Sequence, residues 1–288
     1  MAKSPVGGSR AYLKGRIGSD VYTLGKDGKG KTQQIVRSLA EEVANPRTSS
    51  QMFGRMVMTT VMQAAKALNS IIDHSFDGVP TGQPSISQFI KENYKLIAED
   101  AKNNPSSSNR YGLNKYQEKG IKLGSYVISS GSVVKSEMVS AVTTGLNIED
   151  ISVAFTVKSI REAMGVGKDG YLTFVGITNT GSVYYFRANL KEGLNDTDTV
   201  DAASAPSQFE IEGNCSVTFE ISSDTLSIKV SGVTDIKSRG VICTVKSNGK
   251  FKHSRAKMSS SQTPTWNCDT ALPTYPVGSE QYLNGGDL

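Results

Sequence analysis

Residues Gly25-Lys26-Asp27-Gly28-Lys29-Gly30-Lys31-Thr32 satisfy G-x-x-x-x-G-K-[ST]. In a loop of that form, backbone amides and the lysine cradle phosphates and the final hydroxyl holds magnesium. A strand-like stretch, Val21–Leu24, precedes it. The segment after it, 33–43, is ambiguous: Ile35, Val36, Leu39 and Val43 fit a helix, and Ile35-Val36-Arg37-Ser38 fits the return strand of a hairpin. Three features argue against a nucleotide hydrolase. No later strand places four apolar residues before an aspartate for the metal. The downstream chain alternates as antiparallel β and not as βαβ. Only about 80 residues separate the loop from that β region, too few for a nucleotide domain of ordinary size.

The other reactive residue types are sparse. His74 follows Asp73 at the end of a predicted helix, where it would stabilise the carboxyl terminus. His253 stands among Lys250, Lys252, Arg255 and Lys257; that pattern reads as a solvated strand face, or as a contact for phosphate or an acidic partner. Two histidines in these places assemble no nucleophilic or paired-carboxylate arrangement. Cys215, Cys243 and Cys268 are odd in number and form no C-x-x-C, so a zinc site is not expected and a reducing compartment is the simpler reading. Cys243 sits in an apolar run and reads as core. Tyr184-Tyr185-Phe186-Arg187 is aromatic plus basic, as in stacking surfaces for single strands. Alternation puts Tyr185 and Arg187 on one face and Tyr184 and Phe186 on the other. No enzyme activity and no cofactor are expected.

The element that positions most of the chain is a helix predicted over Ser49–Ile72. Pro46 suits the run-up to it, and Thr48 with Gln51 forms a capping-box pattern. Met52, Phe53, Met56, Val57, Val61, Ala64, Ala65, Leu68, Ile71 and Ile72 make a wide stripe at helical period. Gly54 inside that helix suggests a close contact. Met52, Met56, Met58 and Met62 fit core filling, or an adaptable partner surface. A second helix is predicted with Ser85 as its cap and Ile86, Phe89, Ile90, Tyr94, Ile97 and Ala101 as its stripe. The two should pack as a helical hairpin.

From Tyr126 the period moves towards two. Strands are expected at Tyr126–Ser130, Ile151–Val157, Tyr171–Thr178, Ser182–Asn189, Gln208–Ile211, Ser216–Ile221, Thr225–Val230 and Val241–Lys246, with a helical turn at Ile160–Met164. Asn179-Thr180-Gly181, Ser223-Asp224 and Asn248-Gly249 read as hairpin turns. The fold class is therefore α+β: a glycine-rich β-hairpin arm and a two-helix hairpin, followed by an antiparallel β-sandwich or barrel. The expected division is 1–44 basic arm, 45–104 helical hairpin, 105–258 β domain and 259–288 extended tail.

The 288 residues carry a net charge of +5. Eight cations against Asp20 and Asp27 give residues 1–37 a charge of +6, more than the whole excess. Such an arm suits nucleic acid or an acidic protein surface. Met1-Ala2-Lys3-Ser4-Pro5 leads into glycine, so no leader is expected. No apolar run is long enough for a membrane span. The tail carries the single tryptophan, Trp266, which fits docking on a neighbouring subunit or folding back on its own domain.

Asn45-Pro46-Arg47-Thr48-x-x-Gln51-x-x-x-Arg55, preceded by a glycine-rich strand pair and Val36-Arg37-Ser38, resembles a family of uncharacterised proteins from tailed phages of gut Bacteroidetes and related bacterial genomes. Residues 8–75 carry the resemblance, and 236–258 carry it loosely through Ser247–Ser254. The resemblance implies a structural protein of the virion, capsid-associated or part of head or tail assembly, made in the bacterial host cytoplasm. Its partners would be other virion proteins and copies of itself, with DNA as a further contact of the basic arm. It also implies that Gly25–Thr32 is a hairpin loop. The candidate partner-contacting residues are Arg10, Lys14, Arg16, Arg37, Arg47, Arg55, Lys250, Lys252, Arg255 and Trp266.

Overall fold

A computed structural model describes residues 2–5, 15–17, 20–26, 28–38, 49–103, 124–151 and 154–261. Arg10, Lys14, Arg47, Thr48 and Trp266 lie outside the described residues. The chain is α+β and divides into two compact units, 1–46 and 47–288.

In the first unit, β1 (Ala2–Pro5), β2 (Gly15–Ile17), β3 (Asp20–Lys26) and β4 (Thr32–Ser38) form one antiparallel sheet in the order β1-β4-β3-β2. The ambiguous 33–43 segment thus resolves, over its first part, to a return strand. Lys26 pairs with Thr32, and the glycine-lysine loop closes a hairpin. A phosphate-cradling loop needs a helix N-terminus after it, and here a strand follows.

The second unit opens with α1 (Ser49–Ala67), α2 (Asn69–Ile72) and α3 (Gln83–Asn103). The predicted single helix is broken at Leu68, whose φ and ψ are −94° and 8°. The apolar stripe nevertheless holds across the break: Met56, Val57, Val61, Ala64, Ala65, Leu68, Ile71 and Ile72 are all buried. The methionines divide. Met56 lies in the core, whereas Met58 and Met62 are exposed. Ser85 does not cap α3. It sits inside the helix, where its hydroxyl donates to the Pro80 carbonyl oxygen at 2.9 Å.

Gly54 is not a point of close approach. A Cβ there would meet only the Tyr94 hydroxyl, at 3.6 Å. Glycine in a helix interior costs about 1 kcal/mol against alanine. Gly54→Ala is therefore expected to raise the denaturant midpoint by a stability gain of about 0.5–1 kcal/mol, and an unchanged or lowered midpoint would contradict it.

The β layers follow. The larger sheet runs β10 (Phe209–Gly213), β9 (Val183–Leu190), β8 (Tyr171–Thr178), β13 (Ile236–Ser247), β14 (Lys250–His253), with β16 (Ser259–Ser260) also on β13. A second sheet runs β11 (Val217–Ser222), β12 (Thr225–Val230), β7 (Gly145–Ile148), β6 (Val139–Val142). A two-stranded piece pairs β5 (Val127–Ser129) with β15 (Ala256–Lys257).

The larger sheet is the middle of three layers. Val175, Ile177 and Ile242 on one face pack with the helices, joined by Tyr126, Ile128 and Met258. Leu172, Phe174, Phe186 and Cys243 on the other face pack with Leu146, Ile148, Leu226 and Ile228 of the second sheet. Double coverage explains why β8 has six consecutive buried residues, since a strand covered on both faces loses the alternating pattern.

The expected strand at Ile151–Val157 is not there among the described residues. Val157 instead opens α4 (Val157–Met164), with Thr156 accepting from the Ser159 amide and the Ser159 hydroxyl accepting from the Thr156 amide. That reciprocal cap overrides the β-branched composition. A single-turn α5 (Ala205–Gln208) precedes β10. At the tip of the β13–β14 hairpin, Asn248 and Gly249 take φ of 52° and 73°, as a type I′ turn requires.

Candidate functional site

The two histidines, separated by most of the chain, line one cleft of about 410 Å³ in the second unit. Four segments build it. The end of α2 and the loop after it supply Asp73, His74, Phe76, Val79 and Thr81; β8 supplies Tyr171; β9 supplies Arg187; β14 supplies Phe251 and His253. The strand residues share the helix-facing side of the larger sheet because register links them. Tyr171 lies opposite Thr244, Thr244 opposite His253, and Thr173 opposite Arg187.

Asp77 fastens the loop to the sheet edge. Its Oδ1 accepts from the His253 amide at 2.9 Å and its Oδ2 accepts from the Ser132 amide at 3.1 Å. A Cβ at Gly131 would run into the His253 carbonyl oxygen and lie 2.7 Å from Asp77 Oδ2, so the clasp needs glycine there. Asp73 accepts from the Gly82 amide, which turns the chain into α3. Both carboxylates of this loop are thereby engaged by backbone N–H groups.

The cations have looser partners. Arg187 stands 3.4 Å from both Glu212 Oε2 and the Ser70 carbonyl oxygen, with its guanidinium 5.6 Å from the Tyr171 ring centre. The Tyr171 and Phe251 rings meet at 5.8 Å and 57°. The His74 side chain is 57% exposed, and its Nε2 lies 3.9 Å from Asp73 Oδ2.

His253 is not on a solvated face. It is buried, and its Nδ1 lies 3.1 Å from the Thr244 hydroxyl. Burial disfavours the imidazolium and lowers its pKa below the ordinary histidine value. Asp77 opposes that shift, while His74 and Arg187 reinforce it. A base with a lower pKa folded than unfolded binds fewer protons when folded, so stability falls as pH drops through the unfolded value of about 6.5. The unfolding midpoint should therefore fall between about pH 7 and about pH 5, and His253→Gln should flatten that dependence. Identical pH profiles for the two proteins would show that His253 is not the responsible group.

The candidate contact residues fall into separate places. Arg16 and Arg37 both lie opposite Val21 in the arm sheet, so the three form one cross-strand row on one face. Both arginines are exposed. Arg55 is half-buried in α1. Strand alternation splits the basic cluster around His253. Lys250 and Lys252, both exposed, sit opposite Ser247 and Val245, while Phe251 and His253 project to the helix side. Arg255 is exposed beyond the strand.

Cys215 and Cys243 are free thiols. Burial pushes both pKa values up, which makes them poor nucleophiles. Among the described residues no group of histidine, cysteine and carboxylate side chains has a metal-holding arrangement.

Compositional reading found Arg187 and its face but not the cleft. The signal was present in the Asn248-Gly249 turn, which fixes His253 opposite Thr244. What alternation could not say is which helix end would cover that face. Compared with known proteins, the chain matches no protein-family model, no curated protein and no solved structure.

Proposed function

We propose that this protein is a non-enzymatic structural component of a phage particle, capsid-associated or part of head or tail assembly, acting through contacts with copies of itself and with other particle proteins. The observation that supports this reading is the arm sheet. Tyr22, Leu24 and Val36 share one face and Val21 and Ile35 the other, yet no described side chain of that unit is buried. A sheet of three or more strands gains its stability by covering an apolar face, and an uncovered one offers that face, and its open edges, to a partner. The resemblance of residues 8–75 supplies the context. Among the described residues no helix is long and apolar enough to cross a membrane.

Mass spectrometry and negative-stain microscopy of purified particles test the proposal. The protein should be present at a few copies or more, and Leu24→Asp, on the Tyr22–Val36 face, should reduce its incorporation without shifting the unfolding of the second unit. Its absence from particles would overturn the reading.

A second reading is nucleic-acid binding, with phage DNA as the partner. It is favoured by the row in which Arg16 and Arg37 flank Val21 on one sheet face. Phosphate-driven binding weakens steeply with salt, so a titration with labelled DNA at low and then high salt decides it. No binding at low salt would remove this reading.

A further inference from the structure

We propose that the cleft between the Asp73–Thr81 loop and the β14 edge binds a nucleotide, with its base against Phe251 and Tyr171 and its phosphate on Arg187 and His74. The proposal concerns the second unit alone and does not rest on the assembly reading.

The first argument is charge. The acidic groups of the loop are already engaged: Asp77 by the His253 and Ser132 amides, Asp73 by the Gly82 amide. Their capacity to accept bonds from a neutral polyol is correspondingly reduced. Arg187 differs. A guanidinium carries five donors in a planar fork, and its two contacts here are both at 3.4 Å, long for charge-assisted bonds. It therefore retains donors for an anion with several oxygens, for which the guanidinium fork is suited. His74, exposed at the end of α2, adds a second nitrogen donor.

The second argument is the aromatic wall. Arg187 rests against Tyr171, and Tyr171 touches Phe251. Phe251 is 49% exposed although it lies on the helix-facing side of the sheet. A large apolar ring left open beside a cation is the arrangement that stacks a base while its phosphate is held nearby. Phe76 and Val79 give the cleft an apolar lining, and its volume of about 410 Å³ accommodates a small ligand. A free nucleotide and the terminal nucleotide of a single strand share this chemistry.

Calorimetric titration of the intact protein tests the site. The probes are adenosine monophosphate, adenosine, inorganic phosphate and a short oligoadenylate carrying a terminal phosphate, each at low and at moderate salt. Adenosine monophosphate should bind, with adenosine and phosphate each at least roughly tenfold weaker. Phe251→Ala should weaken it roughly ten- to hundredfold, consistent with the loss of one stacking partner. His74→Ala and Arg187→Lys should weaken binding of the monophosphate but not of adenosine. Phe251 and His74 are exposed, so their variants should keep the parent unfolding midpoint, which separates a lost contact from a lost fold.

An oligonucleotide tighter than the mononucleotide identifies a strand end as the ligand. A mononucleotide that binds while the oligonucleotide does not identifies a free nucleotide. Both outcomes support the site. Failure of all four probes overturns it. So does equal affinity for phosphate and the monophosphate, or an affinity unchanged by both Phe251→Ala and His74→Ala.

Discussion

Replacing Asn93 with leucine is expected to destabilise the second unit by roughly 2–6 kcal/mol, at about 1–3 kcal/mol for each of two buried polar groups left unpaired. Asn93 is fully buried in the middle of α3. Its Nδ2 donates to the Phe89 carbonyl oxygen at 2.9 Å and to the Val127 carbonyl oxygen at 2.9 Å, and its Oδ1 accepts from the Val127 amide at 2.7 Å. The amide thus stands in for a neighbouring strand on the open side of β5, whose other side pairs with β15. Leucine keeps the γ-branching of asparagine and is the larger of the two, so a cavity is not the cause. The Val127 N–H and C=O would simply remain in a dry interior without partners. Equilibrium unfolding measures the loss, and faster hydrogen exchange at the Val127 amide locates it. A loss under about 1 kcal/mol would mean that the helix and the strand are held by apolar packing alone.

Truncating Leu68 to alanine should cost about 2–5 kcal/mol, the range for a buried leucine whose cavity collapses only in part. Leu68 is fully buried at the break between α1 and α2 and belongs to the core shared by the helices and the central sheet. Its main chain needs no particular side chain. The Leu68 amide bonds the Ala64 carbonyl, and the Leu68 carbonyl receives the amides of Ile71 and Ile72 at 2.9 and 3.0 Å. The loss would therefore report packing and not a disturbed helix. A denaturant midpoint that falls at constant slope is the expected signature. An unchanged midpoint would show that the helical layer does not organise this core.

Much of the fold could be read locally. The stripe from Met56 to Ile72 is amphipathic at helical period, and its buried apolar residues are those the stripe named; Thr60, buried beside them with its hydroxyl on the Met56 carbonyl oxygen, was not. Tyr171–Thr178 was delimited by its own composition, because a β-rich apolar run bounded by turn residues defines a strand whatever covers it. Asn248-Gly249 set a hairpin because both residues accept positive φ. Errors came where two local signals competed. Val157 read as β-branched strand, yet Thr156 and Ser159 close a reciprocal cap on α4. β6 and β7 escaped notice because four-residue strands such as Val139–Val142 and Gly145–Ile148 carry too little alternation to stand out.

What the sequence determined by itself was the class of each long element, the placement of charge in the first 37 residues, and the separation of Tyr185 and Arg187 from Tyr184 and Phe186. These are properties of neighbours along the chain, set by periods of two and 3.6 residues. The tertiary structure alone decided that His74 and His253 share a cleft, that Asp77 holds the loop to β14, and that Asn93 completes β5. Each of these joins residues far apart in sequence, between elements whose separate patterns are compatible with many packings. Only burial of one particular pair of faces, the α1–α3 layer on the helix side of the β8–β9–β13 sheet, selects among them.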